Sequence, residues 1–295
     1  MLPLIVDESF ENKILNISQE EYHARRDCVH YSSLKHILKS PHAYYYYINN
    51  PIKQTPAMRI GSIAHTCILE GSEFLNKFVV APVFEGATLD GKISTRSKAA
   101  KEKFDEWKLS LPIGTEIITQ KESDTLRFMI DSIMNNKVAL AVLSESDPEI
   151  KLNWRDRHTG LQSICSIDFV SHKNQIQGEF KTTTDCRWRS YKHQVEDQDL
   201  LYYLQVAIYN AGVSEIYGKE FSNKVWVVTE KQPPYETRVY EVHAGYLNAG
   251  NILYRRAMRD LYTSIKNNSW PQGQVMVEDG LPDKWFLDYY ASIDN

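Results

Sequence analysis

The run QGEFKTTTD, near the middle of the chain, sets Glu179 and Lys181 two residues apart, just ahead of three threonines. Its neighbours favour a strand, where alternate side chains share a face. Glu179 and Lys181 then point one way and Phe180 the other, into a core. Asp168 ends the preceding strand, SICSID. If the two strands pair as a hairpin, Asp168 stands beside Glu179. Two carboxylates that close repel unless a cation holds them, and hard oxygen ligands suit Mg²⁺ or Mn²⁺. Lys181 would then orient or deprotonate a water at the cation, its pKa lowered by that charge. An acid-x-Lys pair also arises on strands as an ordinary ion pair, so the reading depends on companions elsewhere in the chain.

Three companions are present. Gly61-Ser62-Ile63-Ala64-His65 reads GxxxH on a helix, where a histidine is most often a packed core residue. Here His65 offers a nitrogen ligand, and Gly61, one turn earlier, leaves room for close approach. Gln205 and Tyr209 form QxxxY, two polar groups at i and i+4 on one side of a helix that follows the Glu179 strand. Thr182, Thr183 and Thr184 put hydroxyls where a phosphate backbone would pass the lysine.

The elements that must position these residues change character along the chain. Residues 1–147 read as mainly helical. Ser32 and Ser33 are N-cap candidates, with a break at Ser40-Pro41. Ile60, Ile63, Ala64, Cys67 and Ile68 line one face of a helix, and SDTLRFMIDSIMNNKVALAVL reads as a single amphipathic helix. Residues 81–100 read as a loop or arm. From Pro148 onward, EIKLNWRD, LQSICSIDFV, QIQGEFKT and KVWVVT are strands, the first three joined by hairpin turns at 156–160 and 171–174. DQDLLYYLQVAIYNAGV is a crossover helix ended by Gly212, which implies a mixed sheet. YLNAGNILYRRAMRDLYTSIKNN closes the chain's α/β part. One domain over 1–295 is expected, with a helical part at 1–147 and an α/β part at 148–295.

The remaining composition excludes more than it selects. No segment resembles the roughly 20 apolar residues of a membrane span, and no basic, apolar leader opens the chain. A cytoplasmic location is expected. Cys28, Cys67, Cys165 and Cys186 form no CxxC pair, which argues for reduced thiols over zinc or an iron–sulfur cluster. The net charge of −4 gives no overall pull on nucleic acid. Local basic patches remain at Lys92, Arg96, Lys98, Lys101 and Lys103, at Arg187, Arg189 and Lys192, and at Arg255, Arg256 and Arg259. Each is more often a solvated face than a track for phosphates. Of Tyr44 to Tyr47, at least half must pack, since four consecutive positions surround a helix, and the six tryptophans are read as core.

The order GxxxH, D, ExK, QxxxY resembles the RecB-like branch of the PD-(D/E)XK nucleases, and within it the RecE-like exonucleases of phages and prophages. The resemblance runs from Tyr22-His23 to Trp270-Pro271. It departs in having Glu179 where relatives often carry aspartate, and Ser166-Ile167 before the aspartate. It implies a restriction-endonuclease-like α/β core and two Mg²⁺ or Mn²⁺ ions held by His65, Asp168, Glu179 and the Phe180 carbonyl. Lys181 would orient the attacking water, with Gln205 and Tyr209 assisting. It further implies ATP-independent 5′-to-3′ digestion of one strand at linear duplex ends, a 3′ single strand passed to a RecT-like annealing protein in the bacterial host, and a homo-oligomeric ring. Ser32, Ser33 and Lys35 would receive the terminal 5′-phosphate at a helix N-terminus, and Thr182, Thr183, Arg187 and Arg189 would meet the DNA backbone. The competing readings are an endonuclease with the same site, a catalytically idle DNA-binding relative, and a cluster-bearing nuclease, which the cysteine spacing disfavours.

Overall fold

Residues 2–50, 55–82 and 98–273 are described by the structure, a computed structural model. Among them the strands are β1 (Lys13–Leu15), β2 (Phe78–Val80), β3 (Glu116–Ile118), β4 (Asp147–Arg155), β5 (Gln162–Ser171), β6 (Ile176–Thr183), β7 (Asn223–Glu230) and β8 (Thr237–Glu241). The helices are α1 (Gln19–Ala24), α2 (Tyr31–Leu34), α3 (Pro41–Asn49), α4 (Pro56–Leu69), α5 (Ser72–Lys77), α6 (Lys98–Leu109), α7 (Gln120–Asn135), α8 (Lys137–Ser144), α9 (Trp188–Val195), α10 (Tyr202–Tyr217) and α11 (Ala244–Asn267). Six strands form one mixed sheet in the order β1-β4-β5-β6-β7-β8, and β2 and β3 pair apart from it. Only β6 and β7 run parallel within the six. A parallel neighbour cannot be reached by a tight turn, and the chain makes the crossover through α9 and α10.

Helices cover both faces of this sheet. On one, Leu152, Trp154, Cys165 and Ile167 pack under Leu204, Ala207 and Ile208 of α10 and Met258 and Leu261 of α11. On the other, Phe169, Phe180, Val225 and Val227 pack under Ile63 and Ala64 of α4 and Leu126, Met129 and Ile133 of α7. The mixed α/β fold expected from the strand and helix pattern is the fold observed. β1, from the helical N-terminal part, joins the sheet edge beside β4.

The first hairpin turn sets the register that matters for the site. Asp156 Oδ1 accepts from the Thr159 amide at 2.8 Å and its hydroxyl at 2.7 Å, a side-chain closure typical of Asx turns. Gly160 follows at φ +70°, which costs little only without a Cβ. Tyr254 of α11 donates to Asp156 Oδ2 at 2.9 Å and ties the turn to the core. The ladder then runs from Arg155↔Gln162 to Asp147↔Val170 without a slip.

Several expectations need correction. SDTLRFMIDSIMNNKVALAVL is two helices, because Asn136 Oδ1 accepts from the Val138 and Ala139 amides and starts α8 afresh. The crossover helix passes Gly212 and stops before Gly218, which adopts φ +68°. Gly212 instead sits under the Trp154 ring, where a Cβ would come within 2.9 Å. β8 and α9 had no counterpart in the strand and helix expectations. Of the tryptophans, only Trp154 and Trp226 are fully buried, Trp188 is 36% exposed, and Trp285 lies outside the described residues. Tyr44 is buried against Trp270 and Tyr47 stacks on His36, whereas Tyr46 faces solvent. Most of the arm expected at 81–100, with Lys92 and Arg96, also lies outside the described residues.

Candidate active site

β5 and β6 pair only over Phe169↔Gly178, Val170↔Gln177 and Ser171↔Ile176. One step further, Asp168 faces Glu179, and there the ladder ends. Phe180 N–H, which would continue it, donates instead to Asp168 Oδ2 at 2.7 Å. On a strand a residue's N–H and C=O lie on the same edge, so the Phe180 carbonyl also faces the opening gap. The ring of Phe169 lies over Gly178, where a Cβ would sit 1.9 Å from it. Only glycine lets the two strands stay paired up to this rung.

A third acid occupies the same rung. The β4–β5 register places Glu149 opposite Asp168, between the pairs Pro148↔Phe169 and Ile150↔Ile167. Glu149 has φ +54°, a strained conformation for a residue with a Cβ. The regular alternation of β5 breaks at the same place: Val170 lies in the layer of Ile167, three residues earlier, while Phe169 crosses to the other. Glu149, Asp168 and Glu179 thus line up across three adjacent strands. Glu149 was missed in the sequence, although counting back from the Asp156 turn pairs it with Asp168.

His65 reaches this rung from α4. Its Nε2 is 2.9 Å from Asp168 Oδ1 and its Nδ1 is 3.0 Å from Glu149 Oε1. Gly61, one turn earlier, brings α4 against β6: a Cβ there would be 3.3 Å from Thr182 Oγ1. From the opposite face, Gln205 of α10 donates to Glu179 Oε2 at 2.7 Å and accepts from Lys181 Nζ at 3.0 Å. Lys181 Nζ also donates to Glu179 Oε2 at 3.0 Å. Gln205 Nε2 contacts the Tyr209 hydroxyl at 3.1 Å, which holds the amide in place. Gly61, His65, Asp168, Lys181 and Tyr209 of the motifs therefore line one cleft of about 690 Å³, as do Glu70 and Thr182, while Glu179 and Gln205 sit behind it, bonded to Lys181.

Burial and neighbouring charge shape the ionisation here. Burial and the Asp168 charge push the Glu179 carboxyl up to about 8, against the pull of Lys181. Burial would raise Asp168 too, but the facing His65 outweighs it and Asp168 is held low. His65 loses hydration, yet the Asp168 and Glu149 carboxylates on either side raise its pKa well above the ordinary value. Lys181 is likewise raised, burial being outweighed by Glu179 and Asp168. These carboxylates favour the charged amine.

A divalent cation fits the donor set. Glu179 is 1% exposed, and its Oε1 has no hydrogen-bond partner. A buried carboxylate oxygen without a donor is costly unless a cation meets it. Oxygen donors from two acids and a carbonyl, with one imidazole, suit Mg²⁺ or Mn²⁺.

The residues expected to meet DNA divide. Ser32 and Thr182 line the cleft. Ser32 and Ser33 do not cap a helix: α2 begins after His30, has four residues, and carries no side-chain cap. Ser33 is buried and donates to the His30 carbonyl, and Lys35 donates to the Asp199 carbonyl. Thr183 points away, its hydroxyl accepting from Gln194 at 2.7 Å. Arg187 pairs with Asp185 at 2.6 Å, and Arg187 and Arg189 are exposed but do not line the cleft.

A sheet that opens between an aspartate and a Glu-x-Lys strand, with helices on both faces, defines the PD-(D/E)XK class. Residues 30–276 match the family described as a PDDEXK-like domain of unknown function, and the chain belongs to that family. The crystal structure of a candidate exonuclease from Eubacterium rectale is similar in fold, at TM-score 0.55 and 13% identity, over 92% of this chain and 98% of that one. The structure of SSO0001, at 13% identity over 79% of this chain and 95% of that one, has TM-score 0.28 and carries no weight. No curated protein matches the sequence. Among the described residues, no helix is long and apolar enough to cross a membrane.

Proposed function

We propose that this protein is a metal-dependent phosphodiester hydrolase acting on DNA, and specifically an ATP-independent 5′-to-3′ exodeoxyribonuclease of linear duplexes. The observation that carries the hydrolase reading is the opened rung, where Asp168 faces Glu179, Lys181 stands alongside, and Glu179 Oε1 lacks a donor. His65, Asp168, Glu179 and the Phe180 carbonyl would hold the cations. When bound, these would neutralise charge on the attacked phosphate and on the leaving 3′ oxygen.

The chain's own residues then have distinct tasks. Lys181 is anchored by Glu179 and Gln205 and kept charged by its carboxylate neighbours. It acts as a donor that orients the attacking water. Gln205 fixes the lysine and Glu179 together, and Tyr209 fixes Gln205. The water oxygen bonds to phosphorus, the bond from phosphorus to the 3′ oxygen breaks, and that oxygen takes up a proton. Uncatalysed, this reaction is so slow that positioning must be joined to charge neutralisation.

Polarity, product and partners rest on the resemblance to RecE-like enzymes. On that reading the 3′ single strand passes to a RecT-like annealing protein in the bacterial cytoplasm, and the enzyme works as a homo-oligomeric ring around DNA. The test is a set of linear duplexes labelled at either end, with 5′-phosphate or 5′-hydroxyl, beside a closed circle, all with Mg²⁺. Loss of the 5′ label first, with the circle intact, supports the exonuclease. Equal attack on the circle favours an endonuclease, and no cleavage of any substrate removes the hydrolase reading.

A further inference from the structure

Of the three acids aligned across β4, β5 and β6, Glu149 alone has no task in the hydrolase reading. Its side chain is 8% exposed, and its backbone sits at φ +54°. A residue with a Cβ keeps that conformation only where its surroundings hold it. Three neighbours grip one end of the carboxylate. Ser166 of β5 donates to Oε2 at 2.8 Å, Gln19 of α1 donates to the same oxygen, and Lys151 Nζ lies 3.7 Å from it. The other oxygen, Oε1, is turned to His65 Nδ1, 3.0 Å away. That contact bears on which way the imidazole faces. A half-turn about the Cβ–Cγ bond, a soft torsion in histidine, would put Cδ2 and Cε1 where the two nitrogens now stand. A carboxylate accepts and does not donate, so the nitrogen that bonds to it carries a proton. With Nδ1–H held by Glu149, Nε2 points at Asp168 Oδ1, 2.9 Å away, on the side of the opened rung. Histidines that hold metals commonly donate their second N–H to a carboxylate, which fixes both ring and tautomer.

We propose that Glu149 is a positioning residue, which accepts from Nδ1 of His65 and so fixes the ring with Nε2 facing the opened rung. The role rests on the hydrolase reading for its purpose, and adds to it a side chain that acts only through His65. The grip of Ser166, Gln19 and Lys151 then has a function of its own. It keeps the carboxylate from turning away, and couples the aim of His65 to α1 and to β5, the strand that carries Asp168.

The experiment combines long-range ¹H–¹⁵N spectra of the full chain labelled with ¹⁵N-histidine, in saturating MgCl2, with Mn²⁺ uptake followed by electron paramagnetic resonance. In wild type His65 should show a protonated Nδ1 and a bare Nε2. Glu149→Leu removes the acceptor, and should lose that signature and weaken uptake by about 10–100-fold. Glu149→Gln keeps an oxygen that can accept from Nδ1 but is a poor cation ligand, so it should keep the spectrum and most of the uptake. Wild-type uptake by Glu149→Leu overturns the role. Equal loss of uptake in both variants, with the wild-type spectrum kept, makes Glu149 a ligand in its own right and also overturns it. If circular dichroism shows that Glu149→Leu does not fold, wild type and Glu149→Gln decide: a bare Nδ1 in wild type, or uptake by Glu149→Gln weakened 10–100-fold, overturns the role. DNA cleavage scores the hydrolase reading separately. A wild type with the expected spectrum and uptake that cleaves no DNA would retire that reading and leave the positioning of His65 standing.

Discussion

Glu179→Gln should make the ion-free protein more stable at pH 8 while abolishing its chemistry. The substitution keeps the size and shape of a side chain that is 1% exposed. In the unfolded chain this carboxyl titrates near 4.5, and in the folded one near 8. Its folded pKa is raised, so the folded state binds the extra proton between those values. Stability is therefore greatest below pH 4.5 and falls as pH rises toward 8. Linkage puts the loss between pH 5 and pH 8 at roughly 3 kcal/mol. At pH 5 the protonated wild type and the amide are alike, since both leave Lys181 beside a neutral group. At pH 8 only wild type pays for a buried charge. Urea melts in chelator at both pH values measure the gap, and changes in groups that do not interact with Glu179 cancel in the difference. The expected result is near-equal stability at pH 5 and a variant more stable by roughly 3 kcal/mol at pH 8. Mn²⁺ should then raise wild type at pH 8 more than the variant. Parallel stability curves from pH 5 to pH 8, or a variant weaker at pH 8, would refute the reasoning.

Gly178→Ala would press a Cβ to 1.9 Å from the Phe169 ring; overpacking of this kind costs about 1–3 kcal/mol, and activity should fall with it because the same contact aligns Asp168 with Glu179. Equilibrium unfolding and a nuclease assay on one preparation would check both, and a stable, fully active variant would contradict the role given to that contact. Lys181→Met preserves the stem but removes the donor to Glu179 and Gln205. Turnover on linear duplex should drop by about 10²–10⁴-fold with Mn²⁺ uptake retained, and wild-type turnover would count against Lys181 orienting the water.

Much of this architecture could be read from local chemistry. Strands β4 to β7 are short β-branched runs, and the turn residues Asp156 and Gly160 announce their own conformation. That Asp168 comes to stand beside Glu179 followed from carrying the hairpin register one rung past the last paired residues. Glu149 stayed hidden because its importance depends on register across three strands and on a left-handed backbone that no local signal marks. Ser32 and Ser33 have the composition of a helix cap, but His30 takes the capping position and tertiary packing buries Ser33. Gly212 looked like a helix end because glycine usually is one. In the fold it makes room for Trp154, a residue nearly sixty positions earlier whose approach is invisible to a local reading. Lys35 is bound by Asp199, a long-range partner of the same kind, and Thr183 by Gln194 on the following helix.

Cations are expected to gather where the sheet opens between β5 and β6. Crystals of the full chain soaked in MnCl2 and measured at the manganese absorption edge would test this most directly. Anomalous peaks beside Asp168, Glu179 and His65 are expected. A map with manganese bound elsewhere, and no peak at that rung, would contradict it.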